Sequence, residues 1–127
     1  MANRQSGNSG MQYIDRGDLA IADFGTGSFT VDGAYHDLDL SSIIPAGTVL
    51  ALASVLLKNS SAGKQITFRQ KGFTNEVNIS RRYSFLAAVA QGYDLWLRPD
   101  VNGIIEYKVQ DSGIWNTISL SVRGWLV

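Results

Sequence analysis

Turn-forming residues interrupt this chain so often that no long helix fits between them. Thirteen glycines and two prolines fall among Asn, Asp and Ser at close intervals. Sandwiches and barrels show such punctuation, whereas helical chains carry longer unbroken periodic segments. The pieces left between turns favour strands. Residues 19–24, 28–31 and 35–40 are short candidates separated by Gly25, Gly27 and Gly33. In 48–57 both alternating rows are apolar, with Val49, Ala51, Ala53, Val55 and Leu57 on one side and Leu50, Leu52 and Leu56 on the other. That pattern predicts a central strand covered on both faces, although its Leu and Ala content also suits a short helix.

Residues 65–70 set Ile66 and Phe68 against Thr67 and Arg69, and 76–80 set Val77 and Ile79 against Asn78, as half-buried strands do. Residues 84–90 read as a strand, with a helix stopped by Gly92 as the alternative. Residues 93–98, 104–109 and 117–123 complete the set, and Asn102-Gly103 between the first two is a hairpin signal, so these strands are expected to be neighbours. The count of about eight to ten short strands predicts an all-β, antiparallel β-sandwich of jelly-roll type.

A chain of 127 residues is enough for one such domain and buries roughly two-thirds of its surface without staples. There is no cysteine, so packing carries the stability. Residues 1–10 are polar and lack the apolar stretch of a secretory signal, which leaves 11–127 as the domain and 1–10 as a flexible arm. The longest apolar region, 43–57, contains Pro45 and Gly47 and is too short to span a bilayer, so a soluble protein with no membrane insertion is expected. Eleven basic residues balance eleven acidic ones without clustering, the opposite of a nucleic-acid footprint. The Arg81-Arg82 pair reads as a solvated strand end.

The same inventory argues against an enzyme. A Ser-His-Asp triad has only His36 to draw on and no glycine-flanked serine elbow beside it. One histidine cannot build a three-histidine metal site, and Asp37 and Asp39 read as solvated strand carboxylates. Glu76 and Glu106, the only glutamates, show no sign of facing each other across a cleft as glycosidase carboxylates do. No glycine loop has phosphate-binding spacing, and no catalytic residue, metal or cofactor is expected.

The tryptophans are the positive signal. In 93–98 the row Tyr93, Leu95, Leu97 turns Trp96 outward with Asp94 and Arg98. In the last strand Ile118, Leu120 and Val122 point inward, and period two then puts Trp115, Arg123 and Trp125 on the outer face. Trp96, Arg98, Trp115, Arg123 and Trp125 are therefore the candidate interface or ligand surface, since Trp and Arg dominate interface energetics and aromatics stack on sugars.

The runs Asp37-Leu38-Asp39-Leu40 through Ile44-Pro45-Ala46-Gly47-Thr48, Ile66-Thr67-Phe68-Arg69-Gln70-Lys71-Gly72, Asn102-Gly103-Ile104-Ile105-Glu106-Tyr107 and Val122-Arg123-Gly124-Trp125 resemble small β-sandwich domains of bacteriophage virions, such as head decoration, head fibre and tail-associated binding proteins. The resemblance covers residues 35–127 and consists of strand and turn signatures. It implies a structural protein of the virion, a homotrimer that attaches to a capsid, fibre or tail protein, or one that recognises a surface glycan. A carbohydrate-binding module of lectin type, using Trp96, Arg98 and Trp115, is the alternative.

Overall fold

The computed structural model describes residues 10–127, so all of the expected arm except Gly10 lies outside the described residues. Eight strands form: β1 (Tyr13–Asp15), β2 (Tyr35–Asp39), β3 (Leu50–Asn59), β4 (Lys64–Gln70), β5 (Ser80–Ser84), β6 (Gln91–Leu97), β7 (Ile104–Val109) and β8 (Trp115–Leu126). They pair antiparallel in nested fashion, β1 with β8, β2 with β7, β3 with β6 and β4 with β5. Two further pairings, β3 with β8 and β4 with β7, gather them into a first sheet ordered β1-β8-β3-β6 and a second ordered β2-β7-β4-β5. This is a long hairpin folded over into two sheets, a jelly-roll sandwich.

Between the sheets lies one apolar core. The first sheet contributes Ala51, Ala53, Val55 and Leu57 from β3, Leu95 and Leu97 from β6, and Ile118, Leu120 and Val122 from β8. The second answers with Leu38, Ile66, Phe68, Ile105, Tyr107 and Val109. Full burial of each large side chain stabilises the fold by about 1.5–3 kcal/mol. Phe29 closes one end with its ring edge on Tyr107, 5.0 Å between centroids, and the Tyr107 hydroxyl accepts the Thr30 N–H. Residues 50–59 form the central strand expected of a doubly apolar segment, flanked by β8 and β6.

Several local expectations give way to long-range structure. Of the consecutive strands only β4 and β5 pair, so β6, β7 and β8 are not sheet neighbours. The Asn102-Gly103 turn does close, with Gly103 donating to the Asp100 carbonyl, but the chain leaving it crosses to the other sheet. Residues 76–80 are loop up to Ser80, and 85–90 are an exposed loop rather than a strand. The latter is held by the Gln91 side chain, which accepts the Phe85 N–H and donates to the Leu86 and Val89 carbonyls, while Ala88 donates to the Asn59 carbonyl.

Residues 19–24 and 28–31 form no strand of their own; a 3₁₀ turn occupies Thr26–Ser28. The segment after β1 nevertheless completes the edge of β8. The Asp23 carboxylate accepts the Val122 N–H, Arg16 donates to the Val122 carbonyl, Phe24 and Leu120 exchange backbone bonds, and the Thr26 hydroxyl accepts the Ile118 N–H. Side chains thus satisfy backbone groups that three-residue β1 cannot reach.

Candidate functional site

The two outer faces of the sandwich differ in chemistry. On the first sheet, Tyr13 pairs with Leu126, Leu126 with Leu50, Leu52 with Trp96, and Leu56 with Gly92, so these side chains share the outward face. The Tyr13 ring meets Trp96 edge-on, with centroids 6.4 Å apart. That contact needs Gly124 between them. A Cβ there would stand 2.3 Å from the Tyr13 hydroxyl and 2.5 Å from the Ile14 carbonyl oxygen, so no larger residue fits beneath the ring. Ser54, Ser119 and Ser121 fill the middle of the face, and Arg123 pairs with Asp94 at 3.1 Å.

The 85–90 loop that leads into β6 is apolar as well: Phe85 is 64% and Leu86 59% exposed, Val89 is exposed, the Phe85 ring centroid lies 5.6 Å from that of Tyr83 of β5, and Ile114 is exposed on the adjoining β7–β8 connection. An ordered loop that presents several large apolar groups to water is uncommon on a protein that stays alone.

The second sheet's outer face is charged and internally paired. Arg69 donates to Glu106 at 2.7 Å, lies 3.5 Å above the Tyr35 ring and approaches Glu76 at 3.7 Å. Glu76 reaches down from the β4–β5 loop to accept the Tyr35 hydroxyl at 2.7 Å and Lys108 at 3.2 Å. Those hydrogen bonds, Tyr35 first, hold the Glu76 carboxyl below its ordinary pKa. Burial and the bond to Glu76 together push Tyr35 up to about 12. The two glutamates thus do meet, but with an arginine between them that is shared as an ion-pair partner. Lys71 pairs with Asp37, and hydrogen bonds from the Ser41 side chain and then its backbone N–H to the Asp39 carboxylate lower the Asp39 pKa. His36 faces Asp32 at 2.8 Å at the sandwich edge. Among the described residues, no group of three or more His, Asp or Glu side chains is placed to hold a metal ion.

The five candidate residues do not share a surface. Trp96, Arg98 and Arg123 are exposed, Trp96 at 45%. Trp115 is 8% exposed and belongs to the core, where its indole N–H donates to the Gln110 carbonyl. Trp125 lies opposite inward Ala51 and packs on the core. Both placements correct the period-two expectation, and the cause is a pair of β-bulges. Thr117 faces Lys58 but Trp115 faces Asn59, and Val122 faces Ala53 but Gly124 faces Leu52, so Asn116 and Arg123 are each one residue extra. Each bulge reverses the parity of everything beyond it.

Two clefts remain. One of about 400 Å³ lies between the β2–β3 and β6–β7 loops, where Asp100 accepts the Asn102 and Ile104 N–H groups and the Thr48 hydroxyl donates to the Pro45 carbonyl, and Arg98 lines it too. The other, about 230 Å³, opens between the ends of β4 and β6 and is lined by Trp96, Arg98, Phe73, Asn78 and Ser80 among others. No sequence signal distinguished Phe73, Asn78 or Ser80, because Asn and Ser in a turn-rich segment read as punctuation. Comparison of the chain with family models, curated proteins and solved structures gives no match.

Proposed function

We propose that this domain is a non-enzymatic structural module that assembles with copies of itself, as the virion decoration, fibre and tail proteins that its sequence resembles do. The observation that carries the reading is the apolar outer face of the first sheet, formed by Tyr13, Leu50, Leu52, Leu56, Trp96 and Leu126. The sheet's four strands, of three, twelve, ten and seven residues and spaced ~4.8 Å apart, present on the order of 500 Å². In this reading a second copy covers the face, a homotrimer is the expected stoichiometry, and the apolar loop is the contact left for a capsid, fibre or tail protein. A jelly roll hosts many functions, so the surface and not the fold supports the assignment.

Light scattering coupled to size exclusion tests it. The expected mass is that of a trimer at micromolar concentration, unchanged when residues 1–10 are removed because the interface lies on the body of the domain. A monomer at that concentration overturns the proposal.

A further inference from the structure

The cleft beside Trp96 adjoins a second depression of about 280 Å³ on the β4–β5 loop, and the two share Phe73 and Asn78. Together they make a furrow from Arg98 and Trp96, past Asn78 and Ser80, to Phe73 and Asn75. Several of its polar side chains are not engaged by the protein. None of Asn75, Asn78, Ser80 and Arg98 makes a side-chain hydrogen bond or an ion pair among the described residues, nor does the Trp96 indole N–H. Side chains that hold the fold together are committed by contrast: Asn59 holds Ser61 and Ser112, Gln91 holds the 85–90 loop, Gln110 takes the Gln65 N–H, and Trp115 bonds Gln110. The furrow thus gathers amides, a hydroxyl, an indole N–H and a guanidinium around two aromatic rings, with no acidic side chain in its lining.

That combination selects a ligand class. Planar amides and hydroxyls both donate and accept, which suits a polyol's hydroxyl groups. Aromatic faces take an apolar ring face, and a guanidinium without a protein partner takes a carboxylate through two parallel bonds. Each depression is smaller than the ~300–1,000 Å³ of drug-sized sites, which fits one sugar ring apiece. We propose that the furrow binds a short acidic saccharide, its carboxylate on Arg98 and its rings against Trp96 and Phe73. The furrow shares Trp96 with the proposed assembly face, whereas Phe73, Asn75, Asn78 and Ser80 lie on the β4–β5 segment and not on the first sheet's outer face.

Titration followed by nuclear magnetic resonance tests it, with digalacturonic acid and a hyaluronan disaccharide as acidic probes and lactose as the neutral one. Either acidic probe is expected to shift the Trp96 indole and Asn78 amide signals and to bind about tenfold tighter than lactose. Arg98→Ala should erase that preference, and Asn78→Ala should weaken binding several-fold while the solution mass stays unchanged. Leu56→Lys, which alters the assembly face opposite Gly92 and away from Trp96, should leave the titration as in the wild type. The site is overturned if neither acidic probe shifts those signals, or if Arg98→Ala and Asn78→Ala bind like the wild type. Lactose binding as tightly as the uronates overturns the acidic specificity.

Discussion

The two outer faces of this sandwich rest on the same core and use the same alternation of side chains, yet they are finished in opposite ways. The second sheet ends in a lattice of charges, with Arg69 held by Glu106, Glu76 and the Tyr35 ring, and Lys71 by Asp37. The first ends in Tyr13, Leu50, Leu52, Leu56 and Trp96, with one exposed ion pair at its margin. Charges that neutralise one another within a face are already complete in water. Apolar side chains in a row gain most when something covers them. In the proposed reading, solvent takes one face and a partner the other.

The largest expected effect comes from the residue that lets the apolar face close. Gly124→Ala forces a methyl group against the Ile14 carbonyl oxygen and the Tyr13 ring, so β1 must move off β8. Chemical denaturation should show a loss of about 2–3 kcal/mol, and hydrogen exchange should show early opening of residues 13–15. A stability equal to wild type would mean that the Tyr13–Trp96 contact contributes nothing to the face.

Next in size is Leu52→Lys, which gives the first face the character of the second. Self-association should weaken by about tenfold to a hundredfold, or ~1.4–2.8 kcal/mol, when measured by sedimentation equilibrium. The fold should tolerate the change, since Leu52 points outward. An unchanged dissociation constant would place the interface elsewhere.

Arg69→Met breaks the opposite face and should act on stability alone. It strands Glu106, which is mostly buried beside Arg69, and removes the cation above Tyr35. A loss of about 1–2 kcal/mol in urea unfolding is expected, with the oligomer mass unaffected. A change in mass would show that the charged face is itself an interface.

How much of this was legible beforehand depended on whether a strand kept its period. Strands β3, β4 and β7 alternate without interruption, so their apolar rows marked the sandwich and its core. Strand β8 does not: bulges at Asn116 and Arg123 carry Trp115 and Trp125 to the inner side, and no local residue pattern announces a bulge. Val77 looked inward because Glu76, bonded to Tyr35 and Lys108, anchors a loop whose course no alternation rule follows. The Leu- and Ala-rich 84–90 stretch carries strand and helix signals, and its loop conformation is imposed by Gln91 and by the Asn59 carbonyl. The Asn102-Gly103 turn was visible as a turn, but which sheet its exit strand joins is decided by β2 and β4 on either side of β7. The binding furrow was the least visible feature, because Asn75 and Asn78 gain their meaning only when Trp96 and Arg98 arrive from another sheet.

The smallest effect is a titration, and it sharpens the comparison from the charged side. Tyr35 has its pKa raised to about 12, so the bond to Glu76 requires the phenol proton and the ionised carboxylate together. A raised pKa means a contribution present below the unfolded tyrosine value near 10 and lost as pH climbs through about 12. For Glu76, whose pKa is lowered, the sign reverses: the contribution is present above the ordinary glutamate value and is lost as pH falls through the depressed one. The charged face should therefore loosen at both extremes, whereas the apolar face, built mainly of Leu50, Leu52, Leu56, Trp96 and Leu126, should keep the oligomer together across that range. Phenolate absorbance should show one of the five tyrosines titrating near pH 12, and Glu76→Gln should bring that tyrosine down toward 10. If the late-titrating tyrosine persists in Glu76→Gln, the raised value comes from burial alone and the loop is not tied to the face through this bond.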